Sequence, residues 1–190
     1  MYPTLLAHLR KYVSLTEAEE KILLSYLDLR SVKKKEHLLR EGEICNANYF
    51  IAKGCCRMYS NTDQGTEQIV QFAIDNWWIT DYNSLDFQRP SIFNIQVVEN
   101  SEIICLRKEI QEELFMKLPQ LERYFRQILQ RAFAAYVMRI QYVFTGSGEE
   151  RYRHFVSSFP DFVQRIPQYM LASYLGFTPE FLSKLRGKKD

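Results

Sequence analysis

The chain has 190 residues, 46% of them hydrophobic and 25% charged, with a formal net charge of +2. That is enough apolar material for real cores and excludes a disordered chain, while so small a net charge makes the distribution of charge more informative than its total. No apolar stretch reaches the roughly 18 to 20 residues of a membrane span, and Met1-Tyr2-Pro3-Thr4 lacks a basic-then-apolar signal start, so a cytoplasmic protein with no membrane partner is expected.

Thr16 and Glu19 stand in capping-box spacing, and Ile22, Leu23, Tyr26 and Leu27 fall on one face, which predicts a helix over Thr16 to Leu29. From His37 to Leu106 the pattern changes to short runs rich in β-branched and aromatic residues: Tyr49 to Ile51, Cys55 to Tyr59, Gln68 to Phe72, Ile92 to Val98 and Ile103 to Leu106. Gly42, Lys53-Gly54, Asn61 to Gly65 and Glu99-Asn100 supply the reversals between them, so this segment reads as antiparallel sheet closed into a roll.

After Leu106 the period becomes helical, first over Ile110 to Leu118 and then, beyond Pro119, over one long helix to about Phe144. Leu121, Phe125, Ile128, Ala132, Tyr136 and Ile140 form its apolar stripe. A helix of roughly 25 residues spans nearly 40 Å, more than a small domain needs. Part of that stripe is expected to face a second subunit, and these six residues are the candidate dimer interface. Thr145-Gly146-Ser147-Gly148 ends the helix as a hinge, and a compact helical unit of about 40 residues should follow.

The four cysteines, Cys45, Cys55, Cys56 and Cys105, lack CxxC spacing and sit in strand-like surroundings, so buried free thiols are expected rather than a metal site. His8, His37 and His154 stand singly. No phosphate-cradling glycine loop, GxSxG elbow or HExxH motif is present, and Asp75, Asp81 and Asp86 have no spacing that specifies acid–base work, so the chain does not read as an enzyme.

The sharpest pattern is Gln168 to Gly187, QYMLASYLGFTPEFLSKLRG. A helix-turn-helix needs a small residue where its helices cross and a positive-φ residue four positions later; Ala172 and Gly176 meet both needs. Leu171, Leu175, Phe177, Leu182 and Leu185 supply the apolar contacts, and Thr178, Pro179 and Glu180 form a start signal for the second helix. The candidate DNA-reading residues are Thr178, Pro179, Glu180, Ser183, Lys184, Arg186 and Lys188, the set expected to meet bases and phosphates in the major groove. Between Arg165 and Lys189 Glu180 is the only acid, so the unit has a basic end.

With this motif, with Arg40-Glu41-Gly42-Glu43, Tyr49 to Gly54 and Arg57-Met58-Tyr59 in the roll, the sequence resembles the Crp/Fnr superfamily of bacterial transcription regulators over nearly its whole length. The resemblance implies an α+β protein. It would comprise a cyclic-nucleotide-binding-like, jelly-roll-like β-roll over 1–118, a dimerisation helix over 119–145 and an all-α helix-turn-helix domain over 146–190. It implies double-stranded DNA, a second copy of the chain, RNA polymerase and a small-molecule effector as partners. Asp190 follows directly on the second helix of the motif, so the full wing of the family is expected to be lacking.

In the family's nucleotide binders a Phe-Gly-Glu segment and an Arg-Ser or Arg-Thr pair hold the ribose and cyclic phosphate. Here Trp77-Trp78-Ile79-Thr80-Asp81-Tyr82 stands there, with Thr80 for the glycine, Asp81 for the glutamate, Ser91-Ile92 at the phosphate pair and Arg89 two residues early. Cyclic AMP is therefore not expected as a cofactor. Trp77, Trp78, Asp81, Tyr82, Asn83 and Arg89 are retained as a candidate pocket for another ligand. An iron–sulfur cluster is not expected either, because the first cysteine is Cys45 and the family's clustered N-terminal thiols are missing. The alternative to a DNA-binding regulator is a ligand- or protein-sensing module whose helix-turn-helix serves only for packing.

Overall fold

A computed structural model of the chain describes residues 2–187; Lys188, and the expectation of a missing wing beyond it, lie outside them. Two N-terminal helices, α1 (Tyr2–Leu9) and α2 (Glu17–Ser25), precede the sheets. The capping box at α2 is formed in full: Thr16 Oγ1 accepts from the Glu19 amide at 3.3 Å and Glu19 accepts from the Thr16 amide at 2.7 Å. The helix is shorter than the expected Thr16 to Leu29, because Asp28 and Leu29 already pair with Cys105 and Ile104 in a strand. Ladder hydrogen bonds outweigh the helical spacing of Leu27 and its neighbours there.

Eight strands follow: β1 (Asp28–Val32), β2 (His37–Leu39), β3 (Ala47–Lys53), β4 (Cys55–Asn61), β5 (Glu67–Ile74), β6 (Trp78–Ile79), β7 (Asn94–Val97) and β8 (Ser101–Arg107), with α3 (Tyr82–Phe87) between β6 and β7. They form two antiparallel four-stranded sheets, β1-β8-β3-β6 and β2-β7-β4-β5, a jelly-roll-like arrangement. α3 is an element beyond those expected from the sequence, and its cap is Asp81, one of the candidate pocket residues.

Strand alternation divides the apolar side chains between three cores. Tyr49 and Ile51 on β3, Cys56 and Met58 on β4, and Ile103 and Cys105 on β8 point between the sheets. Phe50, Ala52, Ile104 and Leu106 point outward from the first sheet and are covered by α1, α2, α4 (Lys108–Lys117) and the start of α5 (Gln120–Thr145). Cys55, Tyr59, Ile69 and Phe72 point outward from the second sheet and are covered by the C-terminal helices. Both faces being dry, β3 and β8 read as continuous apolar runs rather than alternating ones. A fully buried side chain such as Phe50 contributes about 1.5–3 kcal/mol. Gly54, at φ +119°, joins β3 to β4 where a Cβ would lie 2.0 Å from the Ser101 hydroxyl oxygen, so only glycine fits.

α5 has 26 residues and is about 39 Å long. Its first turns belong to the roll: Tyr124 is fully buried, accepts a 2.8 Å hydrogen bond from the Trp78 indole, and has its hydroxyl 2.8 Å from His8 Nδ1. A hydroxyl has one proton, so Tyr124 donates it to His8, tying α1, β6 and α5 together. Beyond Gly146 lie α6 (Gly148–Ser158), α7 (Pro160–Arg165), α8 (Gln168–Leu175) and α9 (Pro179–Gly187). α6 opens on its own capping box, formed by Ser147 and Glu150.

Candidate nucleic-acid interface

α8 and α9 form the helix-turn-helix. Ala172 is fully buried where they cross, and Gly176 caps α8 in the left-handed region at φ +74°. The Phe177 amide returns to the Ala172 carbonyl at 2.8 Å, closing the turn. Leu171, Leu175 and Leu182 are buried, with Phe177 and Leu185 half-buried around them. Thr178 starts α9, its hydroxyl oxygen accepting from the Phe181 amide at 3.2 Å.

With Leu182 turned inward, Thr178, Pro179, Glu180, Ser183, Lys184 and Arg186 are all exposed. Pro179, Ser183 and Arg186, and beside them Glu180 and Lys184, repeat at helical spacing and share the outer side of α9. Glu180 sits in the first turn, where the helix's own amide and the Thr178 hydroxyl hold its carboxyl below the usual range. The surface therefore offers an acceptor at the start of the helix and two cations further along it. Such a helix can accept from a cytosine amino group and donate to guanine or phosphate.

The domain carrying this helix is fixed to the roll. Phe162, Ile166, Met170 and Leu171 complete the apolar cluster on the outer face of the second sheet. Ser173 donates to the Glu67 carbonyl at 2.8 Å and accepts from the Ile69 amide at 2.9 Å, while Gln68 donates to the Ser173 carbonyl at 2.7 Å. Arg165 on α7 reaches Asp75 and Glu99, each at 2.5 Å, and the Gly54 carbonyl at 2.9 Å. Burial opposes the charge on Arg165, but its hydrogen bonds to Glu99 and Asp75 outweigh that and push its pKa up. Burial likewise opposes the Asp75 carboxylate, and Arg165 with the Gly54 amide holds it below the ordinary value. Arg139 on α5 closes the joint. It donates to the Val70 and Tyr174 carbonyls, with its guanidinium 3.9 Å over the Tyr174 ring.

The candidate dimer stripe on α5 is split. Leu121 and Phe125 are buried in the chain's own core and Ile128 packs partly against it, so these three are corrected to cis contacts of the roll. The reason is that the first two turns of α5 cover the first sheet. Ala132 is half-buried, and Tyr136 and Ile140 remain exposed. Leu129, Phe133, Tyr136, Ile140 and Val143 form the exposed apolar row, at spacings of four and three residues that average the 3.5 of a coiled-coil seam. Phe133, 70% exposed, belongs to this row although it lies outside the six residues expected from the sequence. Beside this row an open groove of about 560 Å³ lies between α3, α4 and α5, lined among others by Tyr82, Phe115, Leu129 and Phe133. Asn48, whose amide oxygen is buried without a partner, also lines it.

The six candidate pocket residues do not share a cavity, which corrects that expectation. Trp77 is exposed and meets Phe159 edge-on. Trp78 faces inward to Tyr124, Phe50 and Phe125. Asp81 is buried as the cap of α3, Tyr82 lines the α5 groove, Asn83 is exposed, and Arg89 lies exposed over the Phe87 ring. The short β6 sends neighbouring side chains apart, and α3 carries those after it away from Asp81. All four cysteines are free and buried; burial pushes Cys55 up to about 12 and Cys105 up to about 11. Among the described residues no cluster of His, Cys, Asp and Glu fits a metal ion, and no helix is long and apolar enough to cross a membrane.

Residues 29–117 match the family model of the cyclic nucleotide-binding domain. The anaerobic regulatory protein of Pasteurella multocida is 22% identical over 170 residues, 84% of this chain and 62% of that protein. The transcriptional activator protein Anr of Pseudomonas protegens is 28% identical over 102 residues, 54% of this chain and 41% of that protein. The chain thus spans less than two thirds of the length of either relative. Among solved structures, FixK2 from Bradyrhizobium japonicum superposes with a TM-score of 0.73 at 15% identity, covering 85% of this chain and 83% of that one. The fold is shared also with a structure described as a regulator of the Crp/Fnr family from Eubacterium rectale. The roll thus matches the cyclic nucleotide-binding domain, and the sheets joined through a long helix to a helix-turn-helix share their fold with regulators of the Crp/Fnr family, to whose relatives the chain is similar in sequence.

Proposed function

We propose that the chain is a sequence-specific DNA-binding regulator of transcription that works as a homodimer in the cytoplasm and catalyses no reaction. Its parts would be the sensor roll over 1–118, the dimerisation helix over 119–145 and the DNA-binding domain over 146–190. The observation that carries this reading is the outer side of α9, where Thr178, Pro179, Glu180, Ser183, Lys184 and Arg186 stay exposed while Leu182 anchors the helix. The relatives' own names, a transcriptional activator and an anaerobic regulatory protein, support it.

In this reading the row Leu129, Phe133, Tyr136, Ile140 and Val143 meets its own copy, and the groove beside it receives part of the second subunit. Two-fold symmetry would then set two α9 helices on an inverted repeat with half-sites roughly 34 Å apart. The roll would pass its input, from a ligand other than cyclic AMP or from a protein such as RNA polymerase, through Arg139, Ser173 and Arg165, which join it to the helix-turn-helix. Fluorescence anisotropy with labelled duplex at several salt concentrations tests the DNA claim. Affinity should fall steeply as salt rises, since each phosphate contact releases counterions. Binding that is absent at every salt would favour a sensing module, a reading supported by the large apolar face the C-terminal domain buries against the roll.

A further inference from the structure

Three residues before Leu129 stands Arg126, and four before that Glu122. The alternating spacing of four and three that runs from Leu129 to Val143 therefore begins one heptad earlier, on an acid and a base. Both are exposed. They stand in the order that favours a pair within one helix, yet among the described residues they form none. Arg126 Nη1 donates to Gln130 Oε1 at 3.2 Å instead, and the Glu122 carboxylate has no partner among the described residues.

Both line the groove of about 560 Å³, whose α5 side is formed by Glu122, Phe125, Arg126, Leu129, Gln130 and Phe133. In a parallel pair of helices each seam residue enters a hole of four residues on the facing helix. The hole for position 126 is made by 122, 125, 126 and 129, and the hole for position 129 by 126, 129, 130 and 133. Together these two holes are the α5 lining of the groove. The remaining lining supplies acceptors. Asn48, 1% exposed, donates to Gln111 at 3.5 Å, while its own amide oxygen is buried without a partner. Asp86 on α3 has only Lys108 beside it, at 3.5 Å. A buried oxygen without a donor is costly, and two carboxylates face the one cation of Arg126, so the groove is complementary to a cation that carries several donors.

We propose that Arg126 of a second copy fills this groove, its guanidinium pairing with Glu122 and donating to the orphaned Asn48 oxygen, while Leu129 of that copy enters the neighbouring hole. The contact is reciprocal about the two-fold axis. It rests on the reading of α5 as the dimer helix, and it goes further by fixing the direction and register of the pair. A charge within a seam is tolerated only where acceptors meet it. An antiparallel pair centred on the same row would set Arg126 beside Val143 and Phe144, and α5 carries no acid from Arg123 to Thr145. The parallel pair also brings both α9 helices to one end of the molecule, as an inverted repeat requires.

Sedimentation equilibrium of the full chain and two charge variants tests the pairing. Arg126→Glu puts acids at both positions and Glu122→Arg puts bases at both, so each variant alone should dimerise about tenfold more weakly than the wild type, with unchanged circular dichroism. Mixed one to one, the two should form a heterodimer within about threefold of wild-type affinity, because every acid then meets a base across the seam. Asn48→Leu should weaken the wild-type dimer about fivefold and have no further effect in the Arg126→Glu chain, a coupling that a merely structural role would not produce. Wild-type affinity in either charge variant, no recovery in the mixture, or equal losses from Asn48→Leu in both backgrounds would overturn the proposal. A wild-type chain that stays monomeric at about 100 μM would remove the dimer reading of α5 along with it, whereas a dimer indifferent to both charge variants would remove this pairing alone.

Discussion

Acid should loosen the joint between α1 and α5, and the histidine that causes it can be isolated. His8 is 8% exposed and its Nδ1 accepts from the Tyr124 hydroxyl, which needs that nitrogen unprotonated. Burial, aided by the charges of Lys11 and Arg131, lowers its pKa from 6.5 to about 4. Between those values the unfolded chain binds a proton that the folded chain refuses. The stabilisation is fully present above pH 6.5, declines as the pH falls and is exhausted near pH 4. From pH 7 to pH 5 the linkage amounts to about 2 kcal/mol, and over the whole interval to about 3 kcal/mol. His8→Gln keeps an acceptor for Tyr124 and cannot titrate. Urea unfolding followed by tryptophan emission should therefore show a pH 7 to pH 5 loss about 2 kcal/mol smaller in the variant than in the wild type. Equal losses in both proteins would refute the burial argument.

Leu182→Ala should destabilise the C-terminal domain by about 2–5 kcal/mol, because Leu182 is 1% exposed where α9 crosses α8; thermal unfolding by circular dichroism measures it. Lys184→Ala should leave Tm unchanged and cost about 1–3 kcal/mol of specific DNA affinity, read by anisotropy against the selected site. Arg165→Met should weaken the docking of α7 on the roll by about 1–3 kcal/mol, visible as faster proteolysis after residue 146, since Asp75 and Glu99 lose their shared cation. Phe133→Asp should turn a dimer into monomer in sedimentation experiments, the buried charge weakening association by about 2 kcal/mol or more.

The helix-turn-helix was legible because it rests on local chemistry: Gly176 at positive φ, Thr178 as a cap and Leu182 facing inward are each demanded by their immediate neighbours. The strands β3, β4 and β8 were legible through their β-branched and aromatic runs, and α5 through its length. What escaped depends on distant parts of the chain. Nothing around Asp28 and Leu29 announces that β8, over 70 residues away, will draw them out of a helix. The apolar period of α5 is the same where it packs on its own roll and where it is exposed, so Leu121 and Phe125 could not be told from Phe133 and Ile140 without the sheet. Arg139, Arg165 and Ser173 read as ordinary polar residues of helices, yet they join the two halves of the molecule. Asp81 is expected in a pocket from its register against the nucleotide binders, whereas its partner Ser91 lies ten residues on, across α3.

The most direct test of the central claim is selection of bound sequences from a random duplex library by the purified chain at two salt concentrations. The account predicts enrichment of an inverted repeat whose half-sites lie one helical turn apart or a multiple of it, retained less well at the higher salt. Lys184→Ala should lose preference at one position of each half-site. No enrichment at either salt, from protein shown to be folded, would contradict the assignment of α9 as a reading helix.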